Sequence, residues 1–327
     1  MYSRPLLSVG LFVYNGERFI EDALNSILSQ TFTDLELIIS DNASTDRTGE
    51  IAEAYAKRDD RIRYYRSEKN MGAGWNAARV YELATGKYFK WAAVDDLIEP
   101  DLLRRCVEIL ESDPGCVVAH ARTKEIDENG SFIKEYVTPV KTDANDPVAR
   151  FREMLLIGHM CYQIFGVMRM SALRQIPPQG TYVNGDGILL ARLSLLGRFY
   201  EIPEYLFISR RHIGQSSTIL PARVAQPRFR LTNRHGFLPC AEWWDPRKAR
   251  TPTFPEFRQL LEFFLSIYRA PVSARQKFRC YSMLWPWIKI HHRWMLKDLV
   301  IAADQVLYNL QIPKTASTDF PQTGKSA

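Results

Sequence analysis

Two carboxylates stand side by side at Asp95 and Asp96, at the end of the run YFKWAAV that begins at Tyr88. A strand interior rejects such a pair, because a buried charge costs several kcal/mol unless it is matched by another charge or a metal. The pair therefore belongs where a strand ends. Adjacent carboxylates at such an edge can hold a divalent cation, which neutralises a diphosphate, and hard oxygen donors suit Mn2+ or Mg2+. A helix cap or a turn would use the same two residues, so the pair by itself leaves both readings open.

Two further polar clusters follow apolar runs. In DNASTD (41–46), Asp41 can accept hydrogen bonds from a base or a ribose while Ser44 and Thr45 cap the next helix. An Asx turn with an N-cap accounts for it equally well. In VYNGE (13–17), Tyr14 offers a ring to a nucleobase, and Asn15 and Gly16 make the turn. There is no GxGxxG fingerprint and no phosphate-binding P-loop, which argues against a dinucleotide and against Walker-type phosphoryl transfer.

The elements that must position these clusters alternate. LLSVGLF (6–12) has strand composition, and ERFIEDALNSILSQ (17–30) spaces Phe19, Ile20, Ala23, Leu24, Ile27 and Leu28 as a helix does. ELIIS, RIRYYR and KYFKWAAV read as strands, with helices over STDRTGEIAEAYAKR and GAGWNAARVYELA between them. Such alternation predicts βαβ units and a parallel sheet. Ligands of open parallel sheets bind beyond the carboxyl ends of the strands, and all three polar clusters fall there. After Asp96 the pattern predicts a helix to Pro114, a strand VVAHARTKEID, helical DPVARFREMLL, and a strand running into a helix over YQIFGVMRMSAL. A helix DGILLARLSLLG and final strands in FYEIPEYLFISRRH follow.

The 327 residues are 46% hydrophobic and 24% charged, an ordinary globular composition. The net charge of +6 conceals an asymmetry: Tyr205 to Val300 holds 17 Lys and Arg against 5 Asp and Glu, an excess of +12, which leaves −6 for the rest. A basic third of this kind suits an anionic partner such as phosphate, nucleic acid or an acidic membrane surface, or is a solvated face. The five cysteines form no CxxC or Cys/His cluster and read as reduced thiols of a cytosolic protein. MYSRPLLSVG runs straight into a strand pattern, with no separate apolar stretch to suggest a signal peptide. MLLIGHMCYQIFGVM (154–168) is too short to span a bilayer.

Taken in order, SVGLFVYNGERFIEDALNSILSQTFTDLELIISDNASTD, NMGAGWNAAR and ATGKYFKWAAVDDLIEPDLL resemble the nucleotide-binding half of the family 2 glycosyltransferases, over roughly residues 6–215. The resemblance implies a GT-A fold: a Rossmann-like, mostly parallel sheet flanked by helices. It implies a catalytic domain over 1–220, with a nucleotide-sugar half to about 100 and an acceptor half beyond. A basic, aromatic helical extension over 221–311 and a disordered tail over 312–327 complete the expected organisation.

Carried over by motif, the resemblance sets Phe12, Val13, Tyr14 and Asp41 around the base of a nucleotide sugar, uracil or thymine favoured, with Asn15 in the turn beside them. Asn70, Gly72 and Asn76 match the loop and helix start lining that pocket, although Asn76 also reads as a helix-surface residue. Ala93 and Val94 occupy the DxD-type element, Ala93 standing where many members carry its first Asp. Asp95 is expected at the ribose or metal, and Asp96 as the principal ligand of Mn2+ or Mg2+. Asp186, in NGDGILLARLSLLG, matches the family's general base, and an N-cap carboxylate is its plain structural alternative. SRRHIGQSS resembles the terminal Arg-x-His segment, so His212 is expected at the metal or diphosphate and Arg210 or Arg211 at phosphate.

The activity so implied is inverting transfer from a UDP- or dTDP-sugar to a hydroxyl of a glycan or lipid-linked acceptor, in surface polysaccharide or glycoconjugate synthesis. A sugar nucleotidyltransferase would need a Gly-rich phosphate loop near the first strand, and VGLFVYNGE has none. A non-catalytic nucleotide-sugar- or polysaccharide-binding subunit is the reading from another class. A nucleic-acid partner is not expected, since no recognised motif accompanies the basic third. MLWPWIKIHHRWMLK mixes Trp with Lys and Arg as an interfacial helix on anionic lipid does, or packs on the core; in the first case the protein is cytoplasmic and peripheral at the membrane's inner face.

Overall fold

A computed structural model describes residues 4–213, 215, 244–248 and 251–311. The expected tail over 312–327, Cys240 and most of the start of the C-terminal extension lie outside these residues.

The first half follows the alternation read from the sequence. β1 (Leu7–Val13), α1 (Ile20–Leu28), β2 (Leu35–Asp41), α2 (Thr48–Ala56), β3 (Ile62–Arg66), α3 (Ala73–Glu82) and β4 (Tyr88–Ala93) form a parallel sheet in the order β3-β2-β1-β4. The order reverses direction at β1, so the crevice between the carboxyl ends of β1 and β4 is the topological switch point where such sheets bind ligands. Register pairs Val13 with Asp41 and Phe12 with Ala93, which brings the three polar clusters to one edge.

The second half extends the same sheet. β5 (Leu97–Ile98) and α4 (Leu102–Ser112) lead into β6 (Cys116–Ile126) and β7 (Phe132–Tyr136). Then come α5 (Pro147–Leu156), a 3-10 turn (Tyr162–Phe165), β8 (Val167–Arg169), α6 (Met170–Leu173), α7 (Gly185–Leu196) and β9 (Arg198–Arg210). β8 runs antiparallel between β4 and β6, β9 runs parallel to β6, and β5 closes the far edge antiparallel to β9. The final strands expected in FYEIPEYLFISRRH are one strand of 13 residues. It accommodates Pro203 at an irregularity, where the partner of Ala121 is Ile202 and that of Arg122 is Tyr205. Among the described residues β7 pairs only with β6, across a turn in which Gly130 takes a φ of 87°.

One core packs α1 and α4 against Leu7, Val9, Leu11 and Tyr88 on one face of the sheet. The other packs α3, α5 and α7 against Phe89 and Trp91. α7 is apolar on nearly every side and buried almost throughout, as a helix enclosed by other elements must be. Over it lie α8 (Pro255–Arg269), α9 (Ala274–Ser282) and α10 (Leu284–Gln311), with Phe263, Ile267 and Trp287 in that second core. Arg192 of α7 is buried against Glu262 of α8 at 2.5 Å, and Arg258 meets the same carboxylate at 2.6 Å. The C-terminal helices are thus built onto the sheet's own core.

Candidate active site

The switch-point rim is held by side chains that satisfy backbone groups at the strand ends. Asn15, at a φ of 52°, donates its N–H to Ser44 Oγ at 2.9 Å, and its side-chain oxygen accepts from Thr45 N at 2.8 Å. Ser44 and Thr45 therefore lock the first loop to the second and do not cap α2, which begins at Thr48. Asp46 does the local work there, accepting from Thr48 N at 3.0 Å and from Glu17 N at 3.0 Å.

Asp41 is fully buried. One of its oxygens accepts from Ser44 N at 2.8 Å and the other from the Tyr64 hydroxyl at 3.0 Å, with Arg66 at 3.8 Å. Burial, together with the Asp41 charge, pushes the Tyr64 hydroxyl well above its usual range, so it stays a donor. Tyr14, by contrast, is 42% exposed, which leaves a ring face open at the rim. Phe12 lies against the second core, and Val13 is buried.

Asn76 is not a helix-surface residue. It is buried, accepts from Ser40 Oγ at 2.6 Å, and donates to the carbonyls of Val13 at 3.1 Å and Ser40 at 3.0 Å. It joins α3 to the carboxyl ends of β1 and β2, sharing the Val13 carbonyl with the Asn42 N–H. Asn70 and Asn42 brace the preceding loop, the Asn42 amide donating to Asn70 Oδ1 at 2.8 Å. Gly72 takes a φ of 90°, and a Cβ there would come within 2.5 Å of the Trp244 carbonyl oxygen. Both facts require glycine.

At the end of β4 the two carboxylates diverge. Asp95 Oδ2 meets His212 Nε2 at 3.0 Å. Asp96 is buried and accepts from Arg210 N at 3.1 Å. Its carboxyl is pushed well above the usual range, first by burial and then by the Asp95 charge, while the Arg210 N–H, the Ser209 hydroxyl and the Lys90 charge oppose the shift. Asp95 and His212 are accordingly the pair that meets, and Asp96 is turned to β9. Ala93 and Val94 carry the chain to them, with Val94 against the β1 loop at Gly16.

Arg210 and Arg211, expected at phosphate, are each engaged by acidic side chains. Arg210 is buried, with its guanidinium 2.9 Å from Asp22, 3.2 Å from the Asp95 carbonyl oxygen and 4.7 Å from the centre of the Phe19 ring. The same ring lies 4.9 Å from the His212 ring. Arg211 forms two bonds to Glu125, at 3.0 and 2.9 Å, and also reaches the Tyr162 hydroxyl. Asp22, Glu125 and Tyr162 went unread in the sequence, and Phe19 reads there only as an apolar helix position. The i, i+3 placement of Phe19 and Asp22 at the start of α1 was the one available signal.

Asp186 sits in the first turn of α7, preceded by Asn184 in the left-handed conformation. Burial raises its carboxyl above the usual range, and the Gly187 N–H, at 2.9 Å from its own oxygen, opposes the shift, as does the charge of nearby His159. His159 donates from Nδ1 to the Ile157 carbonyl at 2.8 Å, which leaves its buried Nε2 with no hydrogen-bond partner. A buried carboxylate in its ionised form is equipped to take up a proton from a hydroxyl.

As to a metal, no group of three or more His, Cys, Asp or Glu side chains converges among the described residues. Asp95 and His212 supply two donors, which fits a cation completed by substrate oxygens and water. Mg2+ is commonly held in that way, by one or two carboxylates and substrate phosphates.

The family model described as glycosyl transferase family 2 matches residues 8–176, just over half of the chain. The uncharacterized glycosyltransferase EpsJ of Bacillus subtilis is 30% identical over 68% of this chain and 65% of its own length. The chain spans between about a fifth and two thirds of the length of the curated relatives it matches. Among solved structures, S. aureus TarS 1-349 in complex with UDP-GlcNAc superposes with a TM-score of 0.54 at 17% identity, over 93% of this chain and 91% of that one. The mannosyltransferase PcManGT from Pyrobaculum calidifontis, in complex with GDP-Man and Mn2+, gives 0.50 at 15% identity, over 95% and 88%. At such identities the structures share the fold.

Proposed function

The chain belongs to glycosyl transferase family 2, and on that premise we propose that it moves a sugar from a nucleoside-diphosphate donor, uridine or thymidine favoured, to a hydroxyl of a glycan or lipid-linked acceptor. The observation that carries this reading is the meeting of Asp95 and His212 at the switch point between β1 and β4. The same rim presents the exposed Tyr14 ring, and Asp186 opens α7 in the acceptor half.

In the proposed reaction Tyr14 packs on the base, while the buried Asp41 and Asn76 hold the strand ends that shape the pocket. The acceptor oxygen attacks the anomeric carbon as the bond from that carbon to the diphosphate oxygen breaks, in one displacement with inversion. Asp186 takes the acceptor's hydroxyl proton, which requires its ionised form. Asp95 and His212 would hold a Mn2+ or Mg2+ ion together with the donor, and when bound that ion offsets the charge gathering on the leaving nucleoside diphosphate. Arg210 serves by fixing the Asp95 carbonyl and the Asp96 carboxyl, and Arg211 by fixing the end of β9 on β6. Surface polysaccharide or glycoconjugate synthesis on the cytoplasmic side is the setting this reaction fits.

Calorimetric titration of UDP, dTDP and GDP, with and without Mn2+, tests the site. Metal-dependent binding of a uridine or thymidine diphosphate that is lost in Asp95→Ala is the expected result. No binding of any of the three would sink the reading. Binding with no transfer to any acceptor would favour a nucleotide-sugar-binding subunit.

A further inference from the structure

The three C-terminal helices bury one side against the sheet's core and expose aromatic, aliphatic and basic side chains on the other. On α10, Trp285, Lys289, Arg293, Leu296 and Val300 recur at spacings of three and four, so they share one face, and all five are exposed. Trp285 is 62% exposed and Leu296 61%, large values for such residues. The Lys289 ammonium lies 5.4 Å from the Trp285 ring centre, and Lys297 lies 4.0 Å from that of Trp294. The neighbouring α8 exposes Phe257, Leu261, Phe264 and Tyr268 at the same helical spacing. It runs antiparallel to α10, as the contacts of Glu256 with Asp298 and of Phe263 with Trp287 require.

Charge on this layer is one-sided at the surface. Residues 255–300 hold eight Lys and Arg and three acids, Glu256, Glu262 and Asp298. Each acid is committed inward. Glu262 takes the two arginines that join α7 to α8, Glu256 pairs with His291 at 2.9 Å, and Asp298 accepts from the N–H groups of Glu256 and Phe257 at the start of α8. The outward α10 face from Trp285 to Val300 is therefore aromatic, aliphatic and basic, with no acidic group on it. Among the described residues no helix is long and apolar enough to cross a membrane.

That combination selects its partner. A symmetric contact with a second copy would set Lys289 and Arg293 against their own counterparts with nothing acidic to offset them. A bilayer surface carrying anionic headgroups supplies the missing charge, takes Trp rings at the headgroup level, and lets Lys stems lie along the apolar surface. We propose that the Trp285–Val300 face of α10 docks the protein on an anionic lipid surface. The inference goes beyond the donor chemistry and does not depend on it.

Co-sedimentation of the full chain with phosphatidylcholine vesicles, and with mixed phosphatidylcholine and phosphatidylglycerol vesicles, tests it at low and high salt. Binding is expected on the mixed vesicles only, weakened by salt. The double variant Lys289→Glu, Arg293→Glu should bind more than roughly thirtyfold more weakly. Trp285→Ser should also weaken binding, while both variants keep the wild-type melting temperature and nucleotide titration. Absence of binding to mixed vesicles at low salt overturns the proposal, as does equal binding to both vesicle types. Sedimentation velocity showing a dimer that these same substitutions dissociate would reassign the face to contact between copies and overturn it too.

Discussion

His212 Nε2 stands 3.0 Å from Asp95 Oδ2, although 117 residues of chain separate them. What closes that distance is β9, which pairs with β5 immediately after the carboxylates, Leu97 opposite Ile208. Arg210 completes the latch by bonding to both members of the Asp95–Asp96 dipeptide.

Arg210→Ala should therefore act on both stability and donor binding. The lost charge-assisted bond runs from the buried Arg210 to Asp22, which is 58% exposed, so the loss is about 1–2 kcal/mol, to be read from the urea midpoint. Arg210→Lys restores charge but not the planar contact with Phe19, so it should recover folding more fully than it recovers nucleotide affinity. Equal recovery of both would assign the residue to folding alone.

Asp186→Asn should leave nucleotide affinity within about twofold and lower the transfer rate by roughly two to four orders of magnitude. Because burial raises the Asp186 carboxyl, the acid limb of kcat should lie above the ordinary aspartate range. Activity falls as pH drops through that raised value, since the protonated form cannot accept the acceptor's proton. A rate that stays flat down to the ordinary range would remove Asp186 from the role.

Asn76→Ala removes three buried hydrogen bonds and leaves the Val13 carbonyl to the Asn42 N–H and the Ser40 hydroxyl without its acceptor. Chemical denaturation should show a loss of about 2–4 kcal/mol, and nucleotide affinity should fall with it because those groups end the strands beneath the base site.

Lys90 offers a test in the opposite pH direction. It is fully enclosed between β4 and α4, its ammonium reaching the carbonyls of Trp91 and Phe165, and burial lowers it from 10.5 to about 8. Between these values the unfolded chain holds the proton and the folded one does not, so stability rises with pH across that window. Relative to Lys90→Met, the wild-type protein should gain about 3 kcal/mol over it, seen as a rising difference in urea midpoints. A constant difference would show that the side chain titrates as if in water.

The part of this architecture that was legible in the sequence is the part that local pattern decides. β1 to β4 and the helices between them are coded by alternation and helical spacing within short windows, and Asp186 lies at a helix start that its neighbours announce. β5 and β7 were not legible. β5 is two residues long and exists only because β9 lies beside it, while β7 is a mostly exposed strand whose one partner is β6. The same limit applies to side-chain roles. Asp95 and Asp96 look alike in the sequence, and only the arrival of Arg210 N–H from β9 gives one to the interior and the other to His212.

The region that matches the family model ends at Gln175 and Ile176, before β9 begins. β9 nevertheless furnishes the clasp on the carboxylate dipeptide. A chimera that borrowed the acceptor-recognising portion of a relative by joining chains at the end of the matched region would import a foreign clasp along with it. The workable boundary for such an exchange lies after His212, so swapping acceptor specificity between relatives calls for grafting loops into this chain rather than exchanging its halves.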